Sequence, residues 1–179
     1  YRTEFKLPAS YKDGKRVWLH FDNTNRYADF YFNGVKISGT KTSSRDVSGH
    51  MLRSKFDVTP LLNKSGKNAI AVLITDPDQK KMRKAKDPYG VACSPSYLAG
   101  AGWDWMPYIP GRLAGITGNA YLSITGDAIM EDPWVRSDLP TLQKAELSVS
   151  TNIKNASSSP KKVVLTGVIQ PGNINFSKN

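Results

Sequence analysis

The chain has 179 residues, with 25 lysines and arginines against 15 aspartates and glutamates, a net charge of +10, and 39% hydrophobic residues. That length suits one medium domain, or one domain and part of another, with a core that needs no staples; the composition excludes a disordered chain. No apolar run approaches the roughly 18 residues of a membrane helix, Cys93 alone rules out an intrachain disulfide, and one cysteine beside His20 and His50 argues against a zinc site.

In chain order, YRTEF already reads as a strand and no signal peptide is visible, so the chain is expected to begin inside a fold. RVWLHFDN (16–23) alternates Val17, Leu19 and Phe21 on one face. YADFYFNGVKI (27–37) reads as two strands around Asn33-Gly34, a strong hairpin signal. Trp18, Phe21, Phe30 and Phe32 read as core. RSKFDVT (53–59) alternates again, PLLNKS (60–65) suits one helical turn, and NAIAVLITD (68–76) is a strand preceded by a turn. Asp57 reads as a turn or cap residue and His50 as a structural histidine.

From about 77 to 118 the pattern breaks into a long excursion rich in Pro, Gly, Tyr and Trp. Loops of this length in a compact domain are usually functional or disordered, and the aromatics argue against disorder. The basic run KKMRKAK (80–86) lies here between the turn signals DPD and DPYG, which favours a solvated surface loop. The net positive charge is the main argument for a nucleic-acid partner; the scatter of the other basic residues leaves that reading remote, and no nucleic-acid partner is expected.

NAYLSITG (119–126) is a further strand. EDPWVRSDLP (131–140) suits a linker or a crossing strand, and AELSVSTNIKN (145–155) and KKVVLTGVIQ (161–170) read as a hairpin of a second β-domain. Short strands separated by turn chemistry indicate an all-β protein built on a sandwich or jelly roll. An immunoglobulin-like sandwich needs about seven strands and roughly 100 residues. The expected division is therefore a β-sandwich over 1–128, with further strands expected before residue 1, and an incomplete immunoglobulin-like sandwich over 129–179.

Several of these motifs, in this order, resemble glycoside hydrolase family 2. YRTEFKLP looks like the opening strand of that family's N-terminal sugar-binding jelly roll. YADFYFNGVKI resembles its strand-turn-strand ending in Asn-Gly. GHMLRSKFDVTPLL (49–62), KNAIAVLI, GWDWMPYIPGRLAGI (102–116), NAYLSITG and EDPWVRSDLP complete the pattern. GWDW followed by GR and GI is most similar to the branch of exo-β-glucosaminidases and endo-β-mannosidases, with β-galactosidases and β-mannosidases as more distant relatives. Thr117 departs from that branch, which usually carries Trp or Tyr there.

The resemblance implies a retaining glycosidase whose two catalytic glutamates lie on a barrel domain of the same polypeptide. That mechanism places two carboxyl groups about 5–5.5 Å apart. The three glutamates here, Glu4, Glu131 and Glu146, stand in separate expected elements, so the chain alone is expected to have no catalytic residue. The implied partners are carbohydrate and the catalytic barrel, with no membrane and no cofactor; no EF-hand-like acid run suggests Ca²⁺. A periplasmic or secreted location is expected.

The candidate substrate-binding residues are Asp104, Arg112, Trp103 and Trp105. The resemblance implies that Asp104 contacts sugar hydroxyls in the −1 subsite. A carboxylate forms charge-assisted hydrogen bonds with such donors, roughly twice as strong as neutral ones. In an extended segment Trp103 and Trp105 share one face and Asp104 takes the other, so the tryptophans anchor the loop if Asp104 faces the sugar. The local alternative is an Asx turn at Asp104. Arg112 pairs with Asp104 or with a barrel residue. A stand-alone carbohydrate-binding module is the rival function. Tyr97 and Tyr108 read as loop packing. Asn63, Asn155 and Asn175 head N-glycosylation patterns, a short signal with many chance matches.

Overall fold

The apolar residues of 16–32 fall first at odd positions, Val17, Leu19 and Phe21, then at even ones, Ala28, Phe30 and Phe32, and all are buried. Side chains alternate between faces along a strand, so one strand holds both sets inside only if an extra residue lies between them. The computed structural model, which describes residues 1–38, 47–75, 115–170 and 174–178, contains that residue. Strand β1 (Arg2–Lys6) is followed by β2 (Arg16–Phe32), which runs unbroken through both sets. Its antiparallel partner β4 (Val47–Asp57) matches Phe21 to Ser54 but Thr24 to Leu52, so β2 advances three residues while β4 advances two. This bulge brings buried Thr24 to the side of Phe21. A compensating residue in β4 restores the register where Arg26 pairs with Gly49.

The neighbours of β2 change along one edge. Hairpin strand β3 (Val35–Lys36) and β4 share one edge. On the other, β7 (Ala120–Thr125) comes first, then β6 (Gly115–Ile116) on Thr24 and Asn25, then β5 (Lys67–Thr75) on Tyr27 to Phe32. β1 pairs with the far side of β5. A bulged strand shared between sheet portions makes the corner of a sandwich. Between them lies the core, where Phe30 meets Phe21 and Phe56 at centroid distances of 4.6 and 4.9 Å, and Phe5 meets Phe32 edge-on at 6.2 Å. Trp18 is buried too, but its position in the alternation puts it on the opposite face, where the Lys55 ammonium sits 4.8 Å from its ring.

Three asparagines tie the ends of these strands together. Asn33 and Gly34 both take positive φ, 48° and 83°, as a two-residue hairpin turn with the twist of its strands requires. The Asn33 amide donates to the Leu61 carbonyl at 2.7 Å and to Asn68 Oδ1 at 2.9 Å. Buried Asn68 also accepts the Asn63 backbone N–H and donates to the Asn63 carbonyl. The helical turn expected at 60–65 is a short 3₁₀ turn at Thr59–Leu61. Asp57 leads into it through an Asx turn, accepting the Thr59 N–H at 3.0 Å and the Arg16 guanidinium at 2.8 Å.

The chain divides into two compact units, Tyr1–Ile124 and Thr125–Asn179. In the second, β8 (Ala128–Thr141) and β9 (Lys144–Asn155) form one antiparallel hairpin around Leu142-Gln143. Residues 131–140 are therefore strand, not linker. Pro133 is tolerated because it sits at a bulge, beside Asp132 at φ 50°. The expected pairing of 145–155 with 161–170 is corrected: 144–155 pairs backwards with β8, and β10 (Leu165–Ile169) pairs forwards with β11 (Ile174–Lys178). The turn at Leu142-Gln143 carries no Gly, Asn or Asp, and so gave no signal. The 156–160 stretch did look like a hairpin turn, but it is tied to the start of β8 and to Asn155: the Ala156 N–H donates to the Asp127 carbonyl at 2.9 Å, Asn155 Nδ2 donates to the Ser159 carbonyl, and Ser157 donates back to Asn155.

Candidate functional site

Trp103, Asp104, Trp105 and Arg112 lie outside the described residues, as do Cys93, Tyr97, Tyr108 and the basic run 80–86; the side chain of His50 is likewise outside them. The described strands fix where that excursion starts and stops. Thr75, the last residue of β5, pairs with Tyr27, and Gly115, the first of β6, pairs with Asn25. These partners are two residues apart on one strand, about 7 Å by strand rise. Residues 76–114 thus leave and rejoin the sheet side by side at the corner of β2. Tyr1 covers this root: its amino group donates to the Val72 carbonyl at 2.9 Å. Its hydroxyl lies 2.5 Å from the place a Cβ would occupy on Gly115, whose φ is 145°.

A second cluster stands on the outer face of the same strands. The imidazole of His20 lies flat against the Tyr121 ring, with centroids 4.6 Å apart and planes 3° from parallel. Its Nε2 is 2.7 Å from Ser123 Oγ. Lys55 pairs with His20 from β4, and Asp22 Oδ2 accepts a bond from Asn119 Nδ2 at 3.2 Å. Burial, aided by the Lys55 charge and opposed by Asp22, holds the imidazole pKa below its ordinary value. This cluster escaped the sequence reading, which used His20 only to count zinc ligands. The available signal was alternation: Trp18 and His20 interleave with core residues in RVWLHFDN, and Tyr121 and Ser123 interleave with Leu122 in NAYLSITG.

Among the described residues no group of three His, Cys, Asp or Glu side chains gathers. Glu4 is held by Lys67 and Arg2, each at 3.2 Å, and the Lys67 bond and charge push its pKa below the usual carboxylate value. Glu131 and Glu146 share one hairpin, but Glu131 faces Asn152 and Glu146 faces Asp138. That places them about 20 Å apart by strand rise, far beyond the separation of a retaining pair.

Residues 1–118 match the family model described as glycosyl hydrolase 2 galactose-binding domain-like. The chain belongs to this family. The exo-β-D-glucosaminidase of Streptomyces avermitilis is 27% identical over 172 residues, covering 94% of this chain and 16% of that protein. The mannosylglycoprotein endo-β-mannosidase of Lilium longiflorum is 29% identical over 153 residues, covering 82% of this chain and 15% of that protein. Among solved structures, the Amycolatopsis orientalis exo-chitosanase superposes with a TM-score of 0.68 at 20% identity, over 99% of this chain and 18% of that one. The chain thus spans less than a fifth of the length of these relatives. The resemblance to glycoside hydrolase family 2 holds, including its glucosaminidase and mannosidase neighbours. Family motifs now have physical roles here: the Asp of FDVT makes the Asx turn that leads into the 3₁₀ turn, and the Asn that opens NAIAVLI is the buried junction of three segments.

Proposed function

We propose that this chain is the non-catalytic, sugar-facing part of a retaining β-glycosidase whose two catalytic glutamates lie elsewhere in the same polypeptide. The observation that carries the reading is the family match over residues 1–118, together with relatives that are β-glycosidases. The parent hydrolyses a β-linked glucosaminide, mannoside or galactoside outside the cytoplasm. Asp104 accepts hydrogen bonds from hydroxyls of the sugar being cleaved, Trp103 and Trp105 hold its loop against the sandwich, and Arg112 fixes the carboxylate or a barrel residue. The common root supports this: Thr75 and Gly115 meet the same strand two residues apart, so both ends of the excursion belong to one corner of β2.

The test is Asp104→Ala in the full-length enzyme. Hydrogen bonds to charged groups contribute about 1.5–3 kcal/mol, so kcat/KM for an aryl β-glycoside should fall about 10- to 100-fold with the unfolding midpoint unchanged. An unchanged kcat/KM removes Asp104 from the site. The 179-residue chain alone should hydrolyse none of the three aryl glycosides; robust hydrolysis would overturn its non-catalytic assignment.

A further inference from the structure

We propose that the outer face of β7, β2 and β4 is a second carbohydrate-binding surface, on which the Tyr121 ring stacks against one neutral hexose unit of a β-linked glycan. The core does not need the arrangement, since Leu19, Phe21 and Leu122 pack on the other side of these strands. Tyr121 nevertheless keeps 45% of its surface exposed. One face of its ring rests on His20, nearly parallel at 4.6 Å. Ser123 Oγ meets the imidazole Nε2 at 2.7 Å, and burial favours the neutral ring by lowering its pKa. The platform is therefore set before a ligand arrives, which limits the entropy lost on binding.

Its surroundings match a pyranose. A hexose offers an apolar C–H face to an aromatic ring and hydroxyls at its rim. Asn119, the residue before β7, stands two residues from Tyr121, about 7 Å away by strand rise. It and Asp22 supply amide and carboxylate groups there. Lys55 stands on the far side of His20, in the adjacent strand. An acid and a base on opposite flanks give neither a cationic amino sugar nor a uronic acid an advantage over a neutral hexose. Tyr121 follows the excursion in sequence and plays no part in the Asp104 role, so the two proposals fail separately.

The test is a ¹⁵N–¹H NMR titration of the 179-residue chain with cellotetraose and with β-1,4-mannotetraose. Saturable shifts confined to 18–22, 53–57 and 119–123 are expected, with a dissociation constant on the order of millimolar. Tyr121→Ala should weaken binding about two- to tenfold, the scale of one aromatic stacking contact, and Tyr121→Trp should retain it. His20→Ala, which removes the support and leaves the ring, should weaken it less. Circular dichroism checks that each variant is folded. Absence of shifts at about 20 mM sugar, five- to tenfold above such a constant, would overturn the proposal. So would a dissociation constant left unchanged by Tyr121→Ala, or binding of only a glucosamine tetramer. Self-association through Tyr121 without sugar binding would make the face a protein interface and equally overturn it.

Discussion

Asn68→Ala tests whether one buried amide holds the end of the sandwich together. Asn68 is fully buried and makes three hydrogen bonds: from Asn33 Nδ2 at 2.9 Å, from the Asn63 N–H at 2.8 Å, and to the Asn63 carbonyl at 3.0 Å. A typical intramolecular hydrogen bond contributes about 0.5–1.5 kcal/mol net, and a buried group left without a partner costs about 1–3 kcal/mol. Two of the three partners belong to Asn63, an exposed residue whose backbone groups can turn to water once released. Asn33 Nδ2 keeps its bond to Leu61. The expected loss is therefore about 2–3 kcal/mol rather than the sum of three orphaned groups. With a urea m-value of about 2 kcal/mol per M, the midpoint of the transition reporting on residues 1–124 should fall by about 1–1.5 M. Intrinsic fluorescence and far-ultraviolet circular dichroism should follow the same transition. Asn68→Asp preserves both acceptor bonds but loses the donor and buries a charge, so it should also destabilise. A double-mutant cycle with Asn33→Ala should return a coupling of about 0.5–3 kcal/mol. A midpoint change below about 0.25 M for Asn68→Ala, or no coupling to Asn33, would refute the junction role.

Gly118→Ala should destabilise the same unit by about 1–3 kcal/mol, the cost of overpacking, because the added methyl would stand 2.8 Å from Asp22 Cβ and 3.1 Å from the Asn23 nitrogen; denaturant melts measure it, and a neutral result would show that the approach to β7 relaxes freely. His20 titrates lower in the folded chain than unfolded, chiefly through burial. Its contribution to stability is thus complete above the unfolded value of about 6.5 and is lost as pH falls from there through the folded pKa. Wild-type protein should lose more stability between pH 7.5 and 5.5 than His20→Gln, as read by urea midpoints at the two pH values; identical slopes would remove the effect. Glu4 and Asp13, both lowered mainly by lysine hydrogen bonds, contribute stability that is lost only at lower pH, as it falls from their ordinary carboxylate values through the folded ones.

Period-two alternation sufficed to read the strands themselves, because one buried face demands it. Val17, Leu19 and Phe21, the Asn33-Gly34 turn and the alternating run after Asn68 were all legible on those grounds, and the ordered motifs were enough for the family. The sequence also read as separate strands in 16–23 and 27–37, although the buried positions switch from odd to even within one strand. Only pairing with β4 shows one strand crossing a bulge, because the extra residue is defined by what lies opposite it. Pairing in 128–178 was misread for a related reason: Leu142-Gln143 turns without turn residues, held by the ladder on both sides rather than by its own conformational preference. The role assigned to Asp104 came from motif resemblance and stands as a proposal, whereas its loop's root came from two register positions on β2. Local sequence determined which residues are strand, which are turn and which family they serve. Which strands meet, where the sheet bends, and that His20, Tyr121 and Ser123 share one surface are long-range facts, decided when residues about a hundred positions apart were brought side by side.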